Sequence, residues 1–138
     1  MPLLLVAAHQ RMVQLFEREL AADGVDSNGY GSLSLIGVRG SMRLTELAHQ
    51  LGMPLTTASD VVRRLETRGL VRRRPHPEDG RSFLFELTAR GDREWRRGWG
   101  ALQRINTALQ EHVDYDEMRT ALTDLGTAFE AALDSPSS

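Results

Sequence analysis

Apolar positions three and four residues apart run through most of the chain, and only one short stretch alternates apolar with polar. Val6, Val13, Phe16 and Leu20 fall near a 3.6-residue period and predict a helix over 3–21, ended by Asp23-Gly24. A second helix is expected from Asp26 or Ser27, either a good N-cap, to about Gly40. Its Gly29, Gly31 and Gly37 count against it, at about 1 kcal/mol each in a helix interior. A short helix over 43–51, with Thr45 as its cap, stops at Gly52. Pro54 then opens a fourth helix through Arg68, with Gly69 as its C′ residue.

At Leu70 the period changes. Residues 70–74 and 82–87 read as strands, the second with Phe83, Phe85 and Leu87 on one face. Pro75 to Arg81 between them is a turn by its Pro, Asp and Gly content. A long helix follows from about Thr88, with Trp95, Trp99, Leu102, Ile105, Leu109 and Val113 stepping by three and four. Asp114 to Asp116 interrupts it. Met118, Leu122, Leu125, Phe129 and Leu133 form a last stripe, and the Pro136-Ser137-Ser138 end is expected to fray. A helix of about 25 residues is roughly 40 Å long. It outruns a small helical core, so its apolar face calls for a partner, and a second copy of the chain is the economical one.

The 138 residues fit one domain, and 41% hydrophobic with 26% charged is ordinary for a folded globular chain. No cysteine is present, which removes disulfides, thiolate metal sites and cysteine nucleophiles together. The longest apolar run, Leu3 to Ala8, is too short to span a bilayer and no basic leader precedes it. The expectation is a soluble, cytoplasmic protein with no membrane association. The net charge of −2 hides segregation: twelve arginines face eight acids between Arg43 and Arg97, whereas from Ile105 onward seven acids face one arginine. All 17 basic residues are arginine, which suits bidentate recognition of phosphate or guanine, although GC-rich coding produces the same composition.

The stretch LTELAHQLGMPLTTASDV, residues 44–61, has what a helix-turn-helix requires. Ala48 is small where two helices cross, Gly52 makes the turn, and Leu47, Leu51 and Val61 are apolar anchors. The second helix then exposes Thr56, Thr57, Ser59, Asp60, Arg63 and Arg64. Hydroxyls and helix N-terminal amides bind phosphate, and arginine reaches guanine O6 and N7. The strand pair adds a winged extension carrying His76 and Arg81 at its tip, after Arg72, Arg73 and Arg74.

With these residues the chain resembles the MarR family of bacterial transcriptional regulators. The likeness rests on L-A-x-x-L-G at the turn, V-x-R-L-E-x-x-G-L-V after it, D-G-R at Asp79 to Arg81 and L-T-x-x-G at Leu87 to Gly91. It covers about 50 residues strongly. It implies a mostly α winged helix-turn-helix with a β-hairpin wing, as a single domain over 1–138. Residues 27–91 would bind DNA, while 1–26 and 92–138 would form a helical dimerisation region. It further implies a homodimer on a pseudo-palindromic operator, acting as a repressor released by a small, often aromatic, ligand. DNA contact is expected from Thr56, Thr57, Ser59, Asp60, Arg63, Arg64, Arg74, His76 and Arg81. Met12, Phe16, Tyr30 and Trp99 are the candidate ligand residues. Asp60 stands where many relatives carry a polar or basic residue, and Leu55 where many carry a basic one.

Plainer readings stand beside these. Arg63 and Arg64 also read as a solvated helix face, with Arg64 pairing to Asp60. Asp79 and Arg81 also read as a pair that shapes the wing. His9, His49, His76 and His112 lie far apart without ligand spacing, so no metal and no cofactor is expected. Trp95 and Trp99 read first as packing residues. No phosphate-binding glycine loop, nucleophile elbow or metalloprotease helix is present, so no enzyme is expected. The competing function is a winged helix that serves as a protein-interaction module without binding DNA, and Asp60 is the residue that favours it.

Overall fold

The computed structural model describes residues 1–20 and 26–136. Helix α1 spans Pro2–Leu20, α2 Ser27–Arg39, α3 Leu44–Leu51 and α4 Leu55–Thr67. Strands β1, Val71–Pro75, and β2, Phe83–Leu87, follow, then α5, Ala89–Gln110, and α6, Tyr115–Asp134. The predicted end of α1 at Asp23-Gly24 and the fraying of Ser137 and Ser138 fall outside the described residues. The chain divides into two compact units, residues 1–102 and 103–138.

The first unit is a winged helix. Asp26 caps α2, its side chain accepting from the Gly29 N–H at 2.8 Å. The expected cap of α3 needs correction. Arg43, not Thr45, holds the N-cap position, and Glu46 closes that end by accepting from the Arg43 N–H at 3.1 Å. Gly52 sits at φ 62°, the left-handed conformation that the tight turn between α3 and α4 demands. Gly69 follows α4 at φ 72°, as expected of its C′ residue. The first strand starts one residue later than predicted, because the buried Leu70 still donates its N–H to the Leu65 carbonyl at 2.9 Å.

Leu33, Ile36, Leu47, Val61, Val62, Leu65 and Leu70 are almost wholly buried and form one core with Tyr30, Met42, Val71 and Phe85. The strands pair antiparallel, Arg72 opposite Glu86 and Arg73 opposite Phe85, while Met42 bridges to Phe85 and ties the α2–α3 link to the hairpin. One of the glycines that weaken α2 on propensity, Gly37, finds its reason here, together with Gly98 of α5. A Cβ on Gly37 would lie 2.6 Å from the Trp95 ring, and one on Gly98 would lie 2.3 Å from Tyr30. Small residues let α2 and α5 approach closely, and tertiary packing overrides local preference.

In the second unit, Asp114 caps α6 by accepting from the Glu117 N–H at 2.9 Å. No residue of α6 is buried, and Met118, Leu122, Phe129 and Leu133 are exposed along it. No helix among the described residues is long and apolar enough to cross a membrane.

Candidate nucleic-acid interface

Helix α4 has two distinct faces. Ala58, Val61, Val62 and Leu65 point into the core. On the opposite side Thr56, Ser59, Asp60 and Arg63 are exposed, spaced i, i+3, i+4 and i+7, so one stripe of the helix is polar and open. Thr57 is half-buried at its margin and Arg64 is exposed beside the stripe.

Asp60 has two arginines within reach on its own helix. Asp60 is joined to Arg63, one turn on, and not to Arg64. Arg64 instead lies 3.6 Å from Asp26, the residue that caps α2. The carboxylate on the open stripe therefore has a cation beside it on the same stripe. All four side chains are largely exposed, so these pairs are worth no more than about 1 kcal/mol and can open toward a stronger partner.

The wing is a braced hairpin. Arg72 and Arg74, on one face of β1, both donate to Glu86 at 2.7 and 2.9 Å. Burial by itself would raise the Glu86 carboxyl, but the hydrogen bonds from Arg74 and Arg72 outweigh it and hold it below its ordinary value. Arg73, on the other face, donates to Glu66 and lies over the rings of Phe83 and Phe85, 5.5 and 5.8 Å from their centroids.

At the tip Asp79 accepts from the Ser82 hydroxyl at 2.7 Å and from the Arg81 backbone N–H at 3.1 Å. Those bonds keep its carboxyl below the usual range. Asp79 thus shapes the turn, but through the Arg81 backbone and not through a side-chain pair. The Arg81 guanidinium is exposed and has no hydrogen-bond or ion-pair partner among the described residues. His76 is half-buried at the base of the turn, with Arg43 of the α3 N-terminus against it.

The ligand candidates do not share one environment. Tyr30 is buried in the core and its hydroxyl donates to the Trp95 carbonyl at 2.8 Å. Phe16 packs against the same core, whereas Met12 and Trp99 are exposed. Trp99 meets Trp95 edge to face, centroids 6.2 Å apart. A cleft of about 460 Å³ lies elsewhere, between Asp26 and Gly29 on one side and Val61, Arg64 and Arg68 on the other, and none of the four candidates lines it. No group of three or more His, Asp or Glu capable of holding a metal is found among the described residues.

Arg43, Glu66, Arg73 and Glu86 shape this surface, and although Glu66 falls in the quoted motif and Arg73 in the basic run before the wing, the sequence shows none of their pairings. Each acts through a partner on another element, and spacing along the chain carries no signal for that.

The comparisons with known proteins agree with this geometry. Residues 30–83 match the MarR family. Among solved structures, the chain is 28% identical to a protein described as a "probable transcriptional regulator" from Pseudomonas aeruginosa, with a TM-score of 0.79 over 93% of this chain and 96% of that one. It is 25% identical to the M. tuberculosis transcriptional regulator MOSR, solved in complex with DNA, with a TM-score of 0.82 over 93% and 94%. It is also 25% identical to the PcaV transcriptional regulator of Streptomyces coelicolor, solved with its natural ligand, with a TM-score of 0.79 over 94% and 91%. No match was found among curated proteins.

Proposed function

From a chain that carries a MarR-family winged helix-turn-helix over residues 30–83, we infer a DNA-binding transcriptional regulator that works as a homodimer on a pseudo-palindromic operator. The observation that carries the reading is the pairing of an open polar stripe on α4 with a wing whose tip arginine has no partner among the described residues. Thr56, Ser59, Asp60 and Arg63 would enter the major groove, with Thr57 and Arg64 at its edge. Arg81 would reach the minor groove or the backbone, with Arg74 and His76 on phosphate. A bacterial regulator of this kind would work in the cytoplasm, where its DNA is.

Residues 27–91 then form the DNA-binding region, and 1–26 with 92–138 the dimerisation region. The exposed apolar stripe of α6 supports this division, since a second copy supplies the cover it lacks. The PcaV regulator was solved with its natural ligand, and by that likeness and the family resemblance a small, often aromatic, molecule would relieve repression here, with Met12, Phe16, Tyr30 and Trp99 as candidate contacts. The protein-interaction alternative loses its chief feature, because Arg63 offsets the Asp60 carboxylate.

A shift assay against the duplex upstream of the chain's own gene tests the reading. Retention that competes with unlabelled copies of that duplex and not with scrambled DNA is expected. Equal competition by both would remove sequence specificity from the proposal.

A further inference from the structure

The contact between Arg43 and His76 cannot be satisfied as it stands. Arg43 Nη2 lies 3.3 Å from His76 Nε2, while the other ring nitrogen, Nδ1, faces the Glu78 backbone N–H at 3.1 Å. Guanidinium and backbone amide are both obligate donors. A neutral imidazole has one acceptor and one donor nitrogen, so it can accept from only one of them. The backbone N–H cannot turn away, and Pro75 and Pro77 on either side of His76 restrict the turn that holds it. Nδ1 therefore accepts from Glu78, Nε2 carries the proton, and the ring presents a donor to a donor.

Both side chains are half-buried, and neither donates a hydrogen bond to a carboxylate among the described residues. Arg43 has no carboxylate within ion-pair distance among the described residues, and its backbone N–H alone engages Glu46. The Asp79 carboxylate is near enough for Arg43 and His76 to lower its pKa further, but its hydrogen bonds come from Ser82 and the Arg81 N–H and from neither of them. Two donors 3.3 Å apart, at the first helix of the helix-turn-helix and on the wing, share no hydrogen-bonded acceptor among the described residues.

We propose that Arg43 and His76 form a clamp for a single DNA backbone phosphate, joining α3 and the wing on the same strand. One phosphate group can accept from both, and binding converts a repulsive contact into two charge-assisted hydrogen bonds. Arg43 thereby becomes a phosphate-contacting residue and His76 acts through a defined tautomer. This rests on the DNA-binding reading above.

The test is operator binding by fluorescence anisotropy across a salt series, with melting curves to confirm that each variant is folded. Arg43→Ala is expected to weaken binding about tenfold and to flatten the log–log salt slope by about one unit for each phosphate it no longer neutralises. His76→Gln keeps a donor near the Nε2 position, although it gives up the acceptor toward Glu78, and should lose less affinity than His76→Asn. His76→Asn keeps the acceptor toward Glu78 but its shorter amide leaves no donor at the Nε2 position, and it should weaken binding several-fold at unchanged slope. The double variant Arg43→Ala with His76→Asn should lose less than the product of the single losses. Arg43→Ala with affinity and slope intact, or Gln as damaging as Asn, overturns the clamp alone. Unmodified protein that binds no duplex overturns the functional reading, and the clamp with it.

Discussion

Glu66, in the last turn of α4, accepts two hydrogen bonds from the Arg73 guanidinium on β1, at 3.0 and 3.2 Å. The helix that would read bases and the hairpin that would flank it are thereby joined at one point outside the core. Glu66→Gln keeps the shape and removes the charge. It is expected to cost about 0.5–1 kcal/mol, because Arg73 is half-exposed and solvent screens the pair. Hydrogen exchange should rise in β1 and β2 more than in α2. An equal rise throughout would mean the pair contributes only to global stability.

Arg81 is the exposed cation at the wing tip without a partner among the described residues. Arg81→Ala should weaken binding to all duplexes and flatten the salt slope by about one unit for each phosphate left unneutralised, with the melting temperature unchanged. Anisotropy titrations at several salt concentrations measure both. An unchanged slope would assign Arg81 to the shape of the wing alone.

Asp60→Asn is expected to release Arg63 and to tighten binding to operator and scrambled DNA alike, by a few-fold at fixed salt. A loss of about 1–3 kcal/mol confined to the operator would instead identify a contact to cytosine N4. Parallel titrations of the two duplexes separate these results.

Glu86 links protonation to the wing. Its carboxyl is held below its ordinary value of 4.5 in the folded protein. A depressed folded pKa contributes stability that is complete above the unfolded value and lost as pH falls through the lower folded one. Glu86→Gln should therefore be less stable than the parent at pH 7, by about 1 kcal/mol, and the gap should begin to close below pH 4.5 and vanish as the pH falls through the lower folded value. Melting curves across that range check it, and a gap independent of pH would refute it.

Assembly can be read from mass. The chain is 15.4 kDa, and light scattering at micromolar concentration should return twice that value. Leu122→Glu with Phe129→Glu, on the exposed stripe of α6, should return the single mass while α6 stays helical by circular dichroism.

The order of elements is legible in the sequence because periodicity, caps and glycines agree locally: Asp26, Gly52 and Gly69 each do what their chemistry suggests. The polar stripe of α4 is legible for the same reason, since a helix with four buried positions fixes the other face. The pairing of its charges is not. Asp60 has arginines both three and four residues on, and only the fold shows that Asp26 draws Arg64 away. Arg43 gives no local signal because it meets His76 across 33 positions of sequence. The hydrogen bond from the Tyr30 hydroxyl to the Trp95 carbonyl is not legible either, because it joins residues 65 positions apart.

The chain contains two tryptophans, and the packing of α2 against α5 sets them apart optically. Trp95 lies against Gly37 with its indole N–H buried and without a hydrogen-bond partner among the described residues, whereas Trp99, one turn on, is exposed. An indole shielded from water emits at shorter wavelength than a hydrated one, so the two should contribute separable bands. Any separation of α5 from α2 admits water to Trp95 first and shifts its emission to the red. The protein carries a built-in fluorescent gauge of that helix contact, readable during DNA or ligand titration without a label.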